Sequence, residues 1–264
     1  SKIRSKIKKI KKKNKTFDSN FQNKILENFK FKLTNDQILA LENINKDMKS
    51  KQKMFRLLQG DVGSGKTIVS VIAALNAINS GYQVAIMAPT EILATQHFKF
   101  ISENFKYYCR PEVLTSKTDY KKRKKILNEL SNNKIDILIG THSLFQDKLL
   151  YYKLGLIIID EQHKFGVNQR KKLSDKGGDD CDVLVMSATP IPRTMMMTIY
   201  GDMDITLIRE KPKNRKEIKT YSKIETKINE VVAFVAKQIE KGNQVFWVCP
   251  LIEESKKIDH QSSV

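Results

Sequence analysis

Apolar positions recur along this chain as short solid runs separated by longer one-sided stretches. Residues 54–59 form a brief apolar run that ends on a glycine-rich segment, which predicts a buried strand. Residues 67–78 are apolar nearly all round, the pattern of a helix sandwiched between layers. The alternation then repeats. Residues 84–88 read as strand, 91–105 as helix, 112–114 as a short strand and 120–130 as a helix carrying Lys121, Lys122, Arg123, Lys124 and Lys125. Three further apolar strands are predicted at 135–139, 156–159 and 183–186. Strands with few polar positions, interleaved with helices, argue for an α/β fold: a mostly parallel sheet covered on both faces.

Both flanks differ from this central block. Thr34 is placed to cap a helix whose Ile38, Leu41, Ile44 and Met48 share one face. Residues 209–220 are polar and turn-like and predict a linker. After them 228–239 is amphipathic, Gly242 ends that helix, and 245–249 reads as a strand. This predicts the opening of a second α/β domain over 221–264. No internal repeat of solenoid period is present.

Composition adds a partner class. The chain has 264 residues, 40% of them hydrophobic, enough for a sizeable core. Lys plus Arg number 48 against 29 Asp plus Glu, a net charge of +19. Such an excess favours a polyanion through counterion release and steering; heavy Lys, Asn and Ile usage in an AT-rich genome produces the same excess. Residues 1–15 hold nine basic residues and no acid. Within a basic segment spanning 1–28, they read as a solvated linker or as an arm touching nucleic acid.

Cys109, Cys181 and Cys249 are far apart and lack metal-type spacing, which fits a reducing cytoplasm. No apolar run approaches the ~18 residues of a membrane span, and no secretory signal follows the basic start. The first residue is Ser and the last four are Gln-Ser-Ser-Val, so a fragment of a longer protein, cut at both ends, is expected.

The chemistry gathers in three segments. Gly60-Asp61-Val62-Gly63-Ser64-Gly65-Lys66-Thr67 is a complete phosphate-binding loop between a predicted strand and a predicted helix. Its glycines permit the backbone to curl around phosphates, and the helix start faces the anion. Lys66 is then the group that neutralises the β/γ-phosphates, and Thr67 a Mg²⁺ ligand. Asp160-Glu161 follows the run 156–159, at the edge where ligands bind in parallel sheets. Asp160 is a candidate Mg²⁺ ligand and Glu161 a candidate to polarise the attacking water. Gln162 and His163 extend the pair, either as a sensor of the γ-phosphate or as structural residues. Ser187-Ala188-Thr189 offers hydroxyls to relay nucleotide state, or a plain helix cap before Pro190.

Taken in order, residues 57–67, Ala-Pro-Thr-Glu-Ile-Leu-Ala at 88–94 with Gln96-His97, Gly140-Thr141-His142, Asp160-Glu161-Gln162-His163 with 165–167, and 186–194 resemble the superfamily 2 helicases. Among them the resemblance is greatest to the RecG family of branched-DNA helicases, over about residues 29–259; residues 200–204 and 250–255 share it. The related transcription-repair coupling translocases are the alternative, with Gln162 and Gln59 favouring RecG. The resemblance implies a RecA-like ATP-binding lobe over 29–208, a linker, and the start of a second RecA-like lobe.

It further implies an ATP- and Mg²⁺-dependent hydrolase driving a monomeric motor on branched or forked DNA. Thr34 and Gln37 would read the adenine edge and Phe31 would pack on the base. Pro89, Thr90, Glu91, Gly140, Thr141 and His142 would touch the nucleic-acid backbone, positions the bare sequence reads as turns and caps. Residues 29–31 lack a proline usual in this family, and Lys164 stands where Arg is usual. The upstream wedge domain and the arginine fingers of the second lobe are not in this sequence, so the expectation is weak ATP binding and poor turnover by these residues alone. Two other classes compete. One is a passive nucleotide and DNA binder. The other is a small-molecule kinase or GTPase, for which no acceptor pocket or guanine-reading motif is evident.

Overall fold

The computed structural model describes residues 11–27, 32–141, 144, 149–160, 178–189, 203–211 and 218–248. The chain divides into two compact units, Ser1–Arg215 and Lys216–Val264.

In the first unit the elements run α1 (Ser19–Glu27), α2 (Asn35–Lys49), β1 (Phe55–Gly60), α3 (Lys66–Asn79), β2 (Gln83–Met87), α4 (Glu91–Asn104), β3 (Pro111–Leu114), α5 (Tyr120–Ser131), β4 (Ile137–Gly140), β5 (Leu154–Ile159), β6 (Asp182–Ser187) and β7 (Asp204–Ile208). The strands form one seven-stranded sheet in the order β3-β4-β2-β5-β6-β1-β7. Every pairing in it is parallel.

Burial explains the solid apolar runs. Strands β2, β4, β5 and β6 are buried at every position, whereas β3 and β7 at the sheet edges are only partly buried. Successive side chains alternate between two cores. Leu58, Ile86, Ile139, Ile158 and Met186 join one core with Ile44 of α2, Ile72 of α3 and Ile101 of α4. Leu57, Met87, Leu138, Ile157 and Val185 join the other with Ile126 and Leu130 of α5. β7 was not predicted from the pattern: its Ile205 and Leu207 face outward at 38% and 39% exposure, so no solid run marks it.

The basic N-terminal segment is not a solvated arm where the structure describes it. Lys12 Nζ donates to both oxygens of Asp182, at 2.6 Å each, and to the carbonyls of Asp47 and Met48 at the end of α2. Lys15 Nζ donates to Asp182 Oδ2 at 2.7 Å and to the Asp180 carbonyl, and stands 4.7 Å from the centre of the Tyr82 ring. The same carboxylate accepts the backbone N–H of Met54 at 2.7 Å. All three charged side chains are fully buried. Burial lowers the Lys12 ammonium from its ordinary value, and the Asp182 charge partly offsets that. Two cations share one anion here, and carbonyls with a ring face carry the remaining charge. Beyond the cluster, Phe17 and Ile25 join the core, and Gln22 accepts from both Asn45 and Asn76.

Where β7 leaves the sheet, it is pinned to the start of α2. Asp36 Oδ2 accepts the N–H groups of Arg209 at 2.7 Å and Glu210 at 2.9 Å. These two donors hold the Asp36 carboxyl below the usual carboxylate range. In the second unit, a 3₁₀ turn (Glu225–Lys227) leads into α6 (Ile228–Glu240). The strand expected at 245–249 is not formed over 243–248; within that unit the described residues supply no partner strand for it to pair with.

Two outcomes follow. Asp182→Ala should lower the unfolding free energy by about 3–5 kcal/mol in urea titration, because two buried ammonium groups lose their counterion. A loss under about 1 kcal/mol would show that they are satisfied elsewhere. Asp36→Ala should raise amide exchange at Arg209 and Glu210 but not at Leu207. Because the folded carboxyl is depressed, wild-type protection of those two amides should hold from neutral pH down to about pH 4 and fall away only as pH drops through the lowered value. Protection lost well above pH 4 would contradict this.

Candidate active site

Parallel strands place all their C-terminal ends on one edge, and the three motif segments lie there. β1 ends at Gly60, the loop 61–65 follows, and α3 begins at Lys66. Gly63 and Gly65 have φ of 77° and 88°, a left-handed conformation that a side chain resists. At Gly65 an added Cβ would also push the side-chain amide of Gln37 from its place against the loop. At Gly60 an added Cβ would lie 2.6 Å from Ser64 Oγ and 2.8 Å from the Ile208 carbonyl, so the loop can hug β7 only with glycine there.

Within the loop, Ser64 N–H donates to the Asp61 carbonyl at 3.0 Å. Lys66 Nζ donates to the carbonyls of Gly60 at 2.6 Å and Asp61 at 3.1 Å. The lysine is buried and curls over its own loop, the place a phosphate group enters. Asp61, Val62 and Gly63 are exposed, while Ser64 is buried and its Oγ has no hydrogen-bond partner among the described residues. Thr67 is half-buried at the second position of α3. Left-handed glycines, a buried ammonium and an orphaned hydroxyl form a cradle suited to a polyphosphate.

Thr34 and Gln37 cap α2 reciprocally. Gln37 N–H donates to Thr34 Oγ1 at 3.3 Å, and Thr34 N–H donates to Gln37 Oε1 at 2.9 Å. The other end of the same amide, Nε2, donates to the Ser64 carbonyl at 2.7 Å. Gln37 thus joins the start of α2 to the phosphate loop.

Asp160 follows β5 directly. Its N–H donates to the Met87 carbonyl at 2.8 Å, and its Oδ2 lies 2.9 Å from His97 Nε2. The register pairs Ile159 with Val185 and Gln59 with Ser187. Asp160 and the loop therefore flank the end of β6 from its two sides. There Ser187 Oγ is 3.0 Å from Thr189 Oγ1, and Gln59 Nε2 donates to the Thr189 carbonyl at 3.0 Å. Ala188 is half-buried between them. Among the described residues no group of three or more His, Cys, Asp or Glu gathers as a metal site. Asp160 Oδ1 makes no hydrogen bond among them, so the donor set fits an ion that also takes phosphate oxygens.

A second cluster lies farther along the edge. Thr90 caps α4 by accepting from the Leu93 N–H, and Pro89 precedes it, two residues past the end of β2. Glu91 accepts from the N–H and hydroxyl of Ser116, which lowers its carboxyl from the ordinary value. Gly140 ends the neighbouring β4, and its carbonyl accepts from the Ala88 N–H at 2.9 Å. The Thr141 carbonyl accepts from Leu144 N–H at 3.1 Å. The segments 89–91 and 140–141 are thereby side by side. Phe31, His142, Glu161, Gln162 and His163 lie outside the described residues.

Three contacts were not assigned from sequence: Gln59 on Thr189, His97 on Asp160 and Asp36 on the exit of β7. Gln59 had a visible signal, a lone polar residue at the end of an apolar run. His97 stood out only as part of the helicase-like motif with Gln96, and nothing local pointed to its partner, which is 63 residues away.

Residues 34–198 match the family described as DEAD/DEAH box helicase. The chain is 49% identical over 242 residues to the ATP-dependent DNA helicase RecG of Bacillus subtilis, covering 91% of this chain and 35% of that protein. It is 48% identical over 255 residues to RecG of Aquifex aeolicus, covering 96% and 32% respectively. A solved structure of RecG bound to a three-way DNA junction superposes with a TM-score of 0.83 at 40% identity, over 92% of this chain and 33% of that one. The DEAD-box helicase Mss116, bound to single-stranded RNA and UDP-BeF, shares the fold at a TM-score of 0.62 and 19% identity, over 86% of this chain and 51% of that one. The chain spans about a third of the length of the RecG relatives it matches. With 165 of its 264 residues inside the matched region, the chain belongs to the DEAD/DEAH box helicases.

Proposed function

We propose that this chain carries the ATP-binding motor lobe of a RecG-type DNA helicase, which couples ATP hydrolysis to movement along branched or forked duplex DNA in repair and recombination. One observation carries the reading. The phosphate loop, the acidic residue and the Ser187–Thr189 segment occupy adjacent strand ends on one sheet edge, with Gln59 tying the strand that leads into the loop to Thr189 and Gln37 tying the loop to α2. RecG relatives at 49% and 48% identity support it, as does likeness to a RecG structure on a three-way junction.

In this reading Lys66 leaves the Gly60 and Asp61 carbonyls to meet the β/γ-phosphates, exchanging partial charges for full ones. Thr67 and Asp160 hold Mg²⁺, which when bound neutralises charge on the phosphate oxygens. Glu161 orients the attacking water, while Gln162, His163 and the hydroxyls of Ser187 and Thr189 pass the state of the site to the rest of the motor. Thr34, Gln37 and Phe31 form the base-side wall. Pro89, Thr90, Glu91, Gly140, Thr141 and His142 line the path of a DNA backbone, held without base readout. The +19 charge draws the polyanion in.

No helix among the described residues is long and apolar enough to cross a membrane, and we place the motor in the cytoplasm with its DNA. The remodelling activity is proposed for the whole protein, working as a monomer.

The test is ATP binding and turnover, each with and without forked DNA. Lys66→Ala should weaken ATP binding by about 10- to 100-fold, the loss of a charge-assisted contact. Glu161→Gln should retain binding and lose about 10²- to 10⁴-fold in DNA-stimulated turnover. Turnover unchanged by Glu161→Gln would leave a passive binder, and GTP competing equally with ATP would point to a different nucleotide enzyme.

A further inference from the structure

Helix α4 links two parts of the sheet edge. Its cap, Thr90, stands in the segment proposed to meet DNA. Seven residues on, roughly 10 Å along the axis, His97 turns inward. Its Nε2 lies 2.9 Å from Asp160 Oδ2. The two side chains are 11% and 13% exposed, so little water competes for the contact. An ionised carboxylate can only accept, so the ring nitrogen facing it carries the proton and donates. Asp160 is already fixed at its backbone, through its N–H to the Met87 carbonyl. What remains free is rotation of the carboxyl group, and His97 makes the side-chain contact that stops it.

We propose that His97 is a positioning residue for the Mg²⁺ site: its N–H holds one oxygen of Asp160 and thereby presents the other, Oδ1, to the ion. The inference rests on reading Asp160 as the Mg²⁺ ligand. A neighbour that pre-orients a ligating carboxylate changes metal affinity without touching the metal, by removing the rotamers in which the carboxylate points away. The hydrogen bond, rather than the bulk of the ring, is the active feature. A packing role predicts that any ring of similar size suffices there; a positioning role predicts that a donor is required.

The experiment uses the full chain and a fluorescent ATP analogue, titrated with Mg²⁺ and separately in EDTA. Four proteins are compared: wild type, His97→Phe, which keeps a ring but has no donor, His97→Gln, whose amide N–H replaces the ring N–H, and Asp160→Asn. His97→Phe should raise the Mg²⁺ concentration for half-maximal binding by about 10-fold and leave binding in EDTA unchanged. His97→Gln should recover most of that shift. Thermal unfolding of each variant separates this from loss of fold: a shift in Mg²⁺ dependence at an unchanged melting temperature supports positioning. If Asp160→Asn shifts the Mg²⁺ dependence and His97→Phe does not, the inference fails while the site assignment stands. A shift in both His97 variants, with no recovery by Gln, also overturns it. If Asp160→Asn leaves the Mg²⁺ dependence untouched, the assignment of the ion site falls first, and the role of His97 falls with it.

Discussion

Parallel pairing between β1, β6 and β5 is the constraint from which the rest of the site follows. Because the strands run in one direction, their C-terminal ends share an edge, and register decides which residues meet there. Gln59 stands opposite Ser187, and Ile159 opposite Val185. A slip of one residue would send every core side chain on β6 to the opposite face of the sheet. It would also carry Ser187 away from Gln59 and the acidic segment away from the loop. Burial of both faces makes such a slip prohibitive, so the apolar runs that stabilise the sheet also set the geometry of the polar residues at its rim.

On that rim the phosphate loop is shaped by contacts to its own carbonyls. Lys66 lies on two loop carbonyls and Gln37 on a third. These are oriented dipoles at the point where an anion would bring full charge. The arrangement sets a buried ammonium against neutral loop carbonyls, contacts it can exchange for phosphate oxygens. The collision that an added Cβ at Gly65 would have with Gln37 shows how closely the α2 start is fitted to this loop. Asp36, beside Gln37, holds the segment leaving β7, so the base of α2 touches both the phosphate loop and the exit of the last strand.

Much of this was legible in the chain itself, for a physical reason. Central strands buried on both faces must be apolar throughout, and β2, β4, β5 and β6 each emerged within a residue or two of their observed bounds. The loop was legible because phosphate wrapping demands glycine at fixed spacing, and Asp160 because it closes an apolar strand. Edge strand β7 was not, since two of its five residues face outward and polar Asp204 and Thr206 break up any solid apolar run. Nor was the role of Lys12 and Lys15. A charge run gives no local hint that two of its members are buried against a carboxylate some 170 residues away. The pairing of His97 with Asp160 was hidden for the same reason: tertiary contacts between single polar residues leave no periodic trace.

The two edges of the sheet hold charge in opposite ways. At the N-terminal edge, Asp182 is surrounded by two ammonium groups and a backbone N–H, fully buried. Every one of its interactions is internal, which suits a fixed support and would be useless for binding. At the C-terminal edge, Asp160 has one oxygen held by His97 and the other without a protein partner among the described residues, and Ser64 keeps a buried hydroxyl unpaired. Unpaired polar atoms in a buried setting carry a cost of about 1–3 kcal/mol each. A fold able to saturate Asp182 so completely had the means to saturate these groups as well. Unpartnered buried atoms also occur away from this edge, at Asn76 Oδ1, Ser102 Oγ and Tyr151 Oη, so it is the coincidence of open groups with left-handed glycines and the Lys66 ammonium that marks the C-terminal edge as the face that meets a ligand.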